Sequence, residues 1–347
     1  MNFQLYKSEF TAEAKRNGYT DDFINQCLNY SKKINVQGLP VIYNTEHLSL
    51  LLGYDEKYLK RAITHTSKYY RSFTIAKKTG KPRSISEPLP NLKEIQTWIL
   101  SNILSKVKIS KYAKAYTKGK GLKHNVRFHV NQKKLFTADV FNFFPSLTVE
   151  EVEQIFFNLG YTKALSDLLA KLCCKSGTLP QGAPTSPYLS NLILLPIDNK
   201  IGDFCNVRKI RYTRYADDLS FSGDFNVPEL KSYLIDCLAE KNLKLNEKKC
   251  RLMLKNQRQM VTGVVVNEKL QAHRNERNRI RQQLYYIQKF GLDEHISKTG
   301  ITKKNYLKHL MGKVGFVTYV NPNDAEFLQY KQTLKQLILK ETLLIEE

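Results

Sequence analysis

Asp217 and Asp218 stand side by side in IRYTRYADDLSFSG (residues 210–223), between two runs rich in aromatic and β-branched residues. Asp139 closes another such run, LFTADV, well upstream. Alternation of this kind predicts strands, so the acidic pair falls at a hairpin tip. Adjacent carboxylates repel one another unless cations neutralise them. Oxygen-only donors suit hard cations such as Mg²⁺, which are commonly shared with substrate phosphates. Two such ions, roughly 3.5–4 Å apart, are a general device for in-line displacement at phosphorus. Taken alone, an Asp-Asp pair at a turn is ordinary turn chemistry, because Asp tolerates unusual backbone angles. The rest of the chain decides between the two.

The elements that must position these acids can be read from periodicity. Residues 139–266 read as β-α-β-β-α-β, which suggests a ferredoxin-like α+β unit with helical lobes on either side. Upstream, residues 1–60 read as helical, with one stretch at helical spacing over LSLLLGYDEKYLKRAI (48–63). The segment 69–88 predicts two strands joined by a Lys-Thr-Gly-Lys turn. Asn91 is the expected cap of the next helix, with Glu94 in capping-box position and Leu92, Ile95, Ile99 and Ile103 as its buried stripe. Further helices are expected over 148–157, through Leu172, from Ser186-Pro187 to about Leu195, and over 227–241. QMVTGVVVN (259–267) reads as a strand. From Ala272 the chain turns helical, with Ile280, Leu284 and Ile287 as a stripe and Arg274, Arg277 and Arg281 on a neighbouring face. A last helix from Ala325 buries Phe327, Leu334, Leu337 and Ile338.

The 347 residues are 42% hydrophobic, enough for a multi-lobed enzyme or two to three small domains. Lys and Arg outnumber Asp and Glu by 55 to 32, a net charge of +23, so nucleic acid is the first partner to expect. No long apolar run or amphipathic anchor points to a membrane. The N-terminus is too polar for a signal peptide. Six cysteines without a CxxC pair indicate neither a zinc site nor a disulfide framework, and fit a reduced, cytoplasmic protein.

Five blocks in order carry a resemblance to the reverse transcriptases: GKPRSISEP (80–88), FTADVFNFFPSL (136–147), LPQGAPTSP (179–187), YTRYADDLSFSG (212–223) and LNEKKC (245–250). The resemblance implies a right-hand polymerase of α+β class. Its parts would be an N-terminal helical extension (1–60), fingers (61–130, with part of 148–200), a ferredoxin-like palm (131–267) and a helical, RNA-binding thumb (268–347). It implies that Asp139 and Asp217 hold two Mg²⁺ ions, or Mn²⁺ in their place, with Asp218 in support and the Val140 carbonyl as a further ligand. Lys81 and Arg83 would meet the triphosphate, Gln181, Gly182 and Tyr215 would seat the nucleotide, and Lys249 would protonate pyrophosphate. Phe144, five positions after Asp139, would be the aromatic gate that excludes a 2′-hydroxyl.

Within that family the chain looks like the retron enzymes. Asn125-Val126-Arg127-Phe128-His129 resembles the NAxxH element, with Val126 in place of the usual Ala, and Val261-Thr262-Gly263 matches the VTG element. The chain leaves no room for an added maturase or endonuclease domain, and no acidic cluster after Asn267 suggests RNase H. The resemblance implies a structured noncoding RNA partner and priming from a guanosine 2′-hydroxyl in it. It further implies a branched RNA–DNA product (msDNA) made from dNTPs, and a role in phage defence with an effector or toxin protein. Residues 241–290 hold 13 Lys or Arg against 3 acids, an expected RNA backbone face. Asn125, His129, Val261, Thr262, Gly263, Arg274, Arg277 and Arg281 are its expected contacts. The alternatives are an intron-type or abortive-infection reverse transcriptase, and an RNA-binding scaffold without synthesis.

Overall fold

Runs in which Leu, Ile and Val recur every three or four residues become helices, and the β-branched and aromatic alternations become strands. The computed structural model describes residues 3–76, 82–301 and 305–346. Its chain divides into two compact units. One comprises Met1–Lys118, Val140–Asp203 and Tyr233–Leu245, the other Gly119–Asp139, Phe204–Ser232 and Asn246–Glu347.

In the first unit, helix Asp21–Val36 is capped by the Thr20 hydroxyl. The helical stretch expected over 48–63 is two helices, Thr45–Leu52 and Glu56–Thr64, because Gly53 takes a left-handed conformation and Asp55 caps a new start. Strands β1 (Tyr70–Ala76) and β2 (Pro82–Pro88) form an antiparallel ribbon in which Tyr70 faces Pro88 and Ala76 faces Pro82. The expected turn and Lys81 lie outside the described residues.

Helix Pro90–Asn102 buries Leu92, Ile95 and Ile99, and Ile103 follows them inside. Its expected cap is corrected. Pro90 opens the helix and Leu89 holds the cap position with no side-chain bond. Proline fixes φ for a first turn and has no N–H to satisfy, so the helix starts ahead of Asn91. Glu94 instead accepts from the Tyr54 hydroxyl. Helix Val149–Asn158 has a full capping box between Thr148 and Glu151. Helices Lys163–Cys173, Ser186–Ile193 and Leu195–Val207 follow. The cap position before Ser186 is Thr185.

The second unit is built on an antiparallel sheet of β3 (Lys134–Asp139), β4 (Arg211–Tyr215), β5 (Asp218–Gly223) and β6 (Arg251–Leu254), in the order β4-β5-β3-β6. The chain-first strand is central and the chain-last strand lies at its side, the order a β-α-β-β-α-β trace gives. The single strand expected over 259–267 is a hairpin of β7 (Met260–Val261) and β8 (Val264–Val265), joined laterally by β9 (Gln271–Ala272). Thr262 and Gly263 both have positive φ, so they form a two-residue turn that reverses the chain. Val126, Leu135, Val261, Val264, Val266 and Val320 make one core of this unit.

Helices Arg274–Phe290, Leu292–Thr299, Tyr306–Val320 and Ala325–Glu346 make another, around Ile280, Leu284, Leu310, Val314, Phe327 and Leu334. Each such burial contributes about 1.5–3 kcal/mol. Among the described residues no helix is long and apolar enough to cross a membrane.

Candidate active site

The hairpin that carries the acidic pair is held by its apolar face. Tyr212 stacks on Phe221 with ring centroids 4.9 Å apart, and Phe136 of β3 adjoins the same ring. Antiparallel register places Phe136 opposite Phe221 and Ala138 opposite Leu219 on one face. The other face then carries Thr137 opposite Ser220 and Asp139 opposite Asp218. A slip of one residue would turn both carboxylates into the core, so burial of the aromatic face fixes the acidic one.

Tyr215 pairs with Asp218, which leaves Ala216 and Asp217 as a two-residue turn. Ala216 has φ +60° at a place where this kind of turn normally takes Gly. Such a conformation costs about 1–3 kcal/mol and concentrates strain at the tip.

Asp139 is only 6% exposed. Its Oδ2 accepts from Lys249 Nζ at 2.6 Å and its Oδ1 from Asn246 Nδ2 at 3.2 Å. The Asn246 backbone N–H donates to the Asp139 carbonyl at 2.7 Å. Burial first, and then the charges of Asp217 and Asp139, push the Asp218 carboxyl up to about 6, with Lys249 opposing them. The three acids are therefore near enough to repel.

Among the described residues no three His, Cys, Asp or Glu side chains form a ready-made metal cage. Mg²⁺ does not require one, since it is held by one or two carboxylates together with substrate phosphates. An oxygen-only donor set in which burial and neighbouring charge hold the Asp218 carboxyl above the ordinary carboxylate range fits such a cation. Val140 begins the segment after Asp139 and is itself buried, bridged to Leu245.

Asp218 has a stability consequence. Its folded pKa lies above the ordinary carboxylate value, so the folded state binds the extra proton between about pH 4 and 6. Stability of the metal-free protein should therefore fall as pH rises through that window. Asp218→Asn is expected to raise the melting temperature at pH 7.5, by at most about 3 kcal/mol of stability, and to leave it unchanged at pH 4. An equal shift at both pH values would show that the carboxylate charge is not the cause.

A groove of about 600 Å³ opens beside these acids, lined by Asp139, Asp218, Lys249, Arg258, Thr262 and Gly263 among others. Three of the expected RNA contacts do not reach solvent, and their assignment is corrected. His129 is fully buried, with Nδ1 2.8 Å from Ser222 Oγ of β5 and Nε2 2.8 Å from Thr213 Oγ1 of β4. It therefore ties together the two arms of the acidic hairpin. Asn125 is also buried and donates to Thr262 Oγ1 at 3.3 Å, while Val261 belongs to the valine core. The NVRFH and VTG elements thus pack on one another. Distant motifs become one joint between the acidic hairpin and the turn at Thr262 and Gly263.

Arg277 and Arg281 are likewise corrected as phosphate contacts. Arg277 pairs with Asp324 at 2.7 Å, and Arg281 grips Glu326 through Nε and Nη2. Both guanidinium groups also lie over the Phe327 ring. Acids far along the chain claim them, which local spacing does not show. Arg274 remains exposed.

In the first unit, β2 meets the loop after Leu179. The Ser86 N–H donates to the Gln181 carbonyl at 2.8 Å, and Gly182 follows with φ +129°. Arg83 and Gln181 line a cavity of about 320 Å³ with Ser86, Asn142, Lys175 and Thr178, and among the described residues no acid lines it. Lys175 donates to Ser72 and Ser86 hydroxyls at 2.6 and 3.0 Å, a cation with neutral partners that no motif had marked. Phe144 is buried with its ring centroid 5.2 Å from that of Phe143. Tyr215 is half-buried at the end of β4. Asn246 was also missed, although it sits three residues before Lys249 in LNEKKC.

Residues 75–299 match the family model described as reverse transcriptase (RNA-dependent DNA polymerase). The retron Ec86 reverse transcriptase of Escherichia coli is 32% identical over 289 residues, covering 82% of this chain and 87% of the relative. The retron Ec83 reverse transcriptase of the same species is 31% identical over 284 residues, 76% and 86% of the two chains. The retron Mx65 reverse transcriptase of Myxococcus xanthus is 30% identical over 315 residues, 84% and 71%. Enzymes of this family share a right-hand polymerase fold, copy RNA with dNTPs and use divalent metal ions, typically Mg²⁺. With most of its length matched, this chain belongs to the retron-type reverse transcriptases and is an RNA-directed DNA polymerase.

Proposed function

We propose that this polymerase recognises a structured noncoding RNA and starts synthesis at the 2′-hydroxyl of a guanosine within it. It then copies the adjacent template into branched msDNA. The observation that carries this reading is the joint between the NVRFH and VTG elements, Asn125 to Thr262, beside the groove that Asp139 and Asp218 line. Of the two elements that set retron enzymes apart, VTG lines that groove through Thr262 and Gly263, and NVRFH packs against it.

In this reading Asp139 and Asp217 hold two Mg²⁺ ions, with Asp218 and the Val140 carbonyl in support. Ions bound there would acidify the attacking hydroxyl and stabilise charge on the departing pyrophosphate. The chain's own residues do the remainder. Lys249, 58% exposed and already on Asp139, can swing away to give a proton to pyrophosphate. Arg83 and Lys81 grip the triphosphate, the first in a bidentate fork. Gln181, the Gly182 backbone and Tyr215 seat the nucleotide, and Phe144 excludes ribose. Residues 1–60 form an N-terminal extension, 61–130 with part of 148–200 the fingers, 131–267 the palm and 268–347 the thumb. Thr262, Gly263 and Arg274 keep their place as RNA contacts. The enzyme acts in the cytoplasm, in phage defence, with a separate effector protein.

The test is to express the gene with its native flanking DNA and sequence the copurifying nucleic acid with and without debranching enzyme, beside an Asp217→Ala, Asp218→Ala control. A short DNA whose 5′ end is released only by debranching, and absent from the control, is the expected result. A linear cDNA would leave the polymerase and remove 2′-priming. RNA alone, identical in both preparations, would favour the scaffold.

A further inference from the structure

The element that buries Asn125 and His129 has an opposite face. Lys123 and Arg127 are four residues apart on the turn formed by Leu122–Val126 and Arg127–His129, so they share a side. Lys123 Nζ lies 4.9 Å from the ring centroid of Tyr319, which is 46% exposed. The Arg127 guanidinium lies 5.0 Å from the centroid of Phe128, 37% exposed. Arg211, on the edge strand β4, donates from Nη1 to the Phe128 carbonyl at 2.8 Å. These contacts link Tyr319, Lys123, Arg127, Phe128 and Arg211 into one stripe.

Charge sets this stripe apart from its surroundings. Lys133 and Lys134 nearby in sequence are both neutralised by Asp224. Among the described residues Lys123, Arg127 and Arg211 have no carboxylate partner, only ring faces and a carbonyl. Unpaired cations beside exposed aromatic rings match phosphodiesters with unpaired bases, where the cations meet the backbone and the rings accept stacked bases. Folded RNA offers both in its loops and single-stranded junctions. The inward anchors Asn125 and His129 hold the stripe in place, so little ordering is left to oppose binding.

We propose that this stripe is a binding surface for the unpaired nucleotides of a structured RNA, and that the NVRFH element contacts RNA through Lys123, Arg127 and Phe128 while its Asn and His act as internal struts. The proposal rests on the RNA-recognition reading above and moves its contacts to the opposite face of the same element.

The test compares wild type with Lys123→Ala, Arg127→Ala, Arg211→Ala combined, and separately with Tyr319→Ala. Binding is measured across a salt series to three probes: the transcript of the DNA flanking this gene, an oligouridylate and an oligodeoxythymidylate. Losing three phosphate contacts should reduce the slope of log affinity against log salt by about 2 and weaken binding of both RNAs roughly 10–100-fold. Tyr319→Ala should weaken binding without changing the slope. Extension of oligo(dT) on poly(rA) at saturating primer–template should be unchanged in both variants, which also reports that they fold. Unchanged RNA affinity and slope would overturn the proposal, as would a loss confined to the oligodeoxythymidylate. A wild-type enzyme that binds the flanking transcript no better than oligouridylate would sink cognate recognition, while a variant defect on oligouridylate would still support the surface.

Discussion

Asp139→Asn should lower single-turnover nucleotide incorporation by at least about three orders of magnitude, equivalent to roughly 4 kcal/mol of lost transition-state stabilisation. The substitution keeps the shape of the side chain and removes its charge, so any effect on rate isolates the electrostatic role. Folding should barely change. The Lys249 pair that would be lost has a half-exposed ammonium, and such pairs are worth about 0–1 kcal/mol. Asn246 can still bond to the amide oxygen. The measurement is one-nucleotide extension of a primed RNA template under excess enzyme, with melting temperature recorded in parallel. A rate within tenfold of wild type, in a protein that melts normally, would mean that Asp139 does not hold a catalytic cation.

The second large effect is expected at Gly182. Its φ of +129° lies where side-chain-bearing residues rarely go, and an added Cβ would stand 2.9 Å from both the Ser86 carbonyl oxygen and Ile85 Cγ2. The Ile side chain could yield by rotating. The carbonyl cannot, because the Ser86 N–H is bonded to Gln181, so the backbone of β2 or of the loop has to move. Gly182→Ala should therefore cost about 2–4 kcal/mol of stability and raise the KM for dNTPs, since the displaced segment carries Gln181 and adjoins Arg83. Both quantities can be read from thermal melts and steady-state titrations. Wild-type melting and an unchanged KM would show that the loop absorbs the methyl group and that its close approach to β2 is incidental.

The site was partly legible in sequence because its chemistry is local. Two adjacent acids between alternating strands specify a hairpin with charge at its tip, and a third acid ending another strand needs only a partner strand. Register then follows from which face is apolar, and Phe136, Ala138, Leu219 and Phe221 decide that face. The correct helices were those whose buried stripe is sequential, such as Leu92, Ile95 and Ile99. Errors arose where a backbone rule competed with a side-chain rule. Proline outranked Asn91 at a helix start, and Thr262-Gly263 turned an apolar run that composition reads as one strand.

Side-chain direction is what the linear chain withheld. His129 was an expected RNA contact because it closes the NAxxH-like element, yet Thr213 and Ser222, more than eighty residues away, satisfy both its nitrogens. Arg277 and Arg281 looked free because the acids that bind them, Asp324 and Glu326, lie just before and within the first turn of another helix. By itself the sequence determined the reaction class and the order of elements, because periodicity, turn chemistry and motif spacing act over a few residues. Only the tertiary structure decided which cations are already neutralised and which face of the NVRFH element is open. Burial and ion pairing depend on residues that meet in space, and no local pattern encodes those meetings.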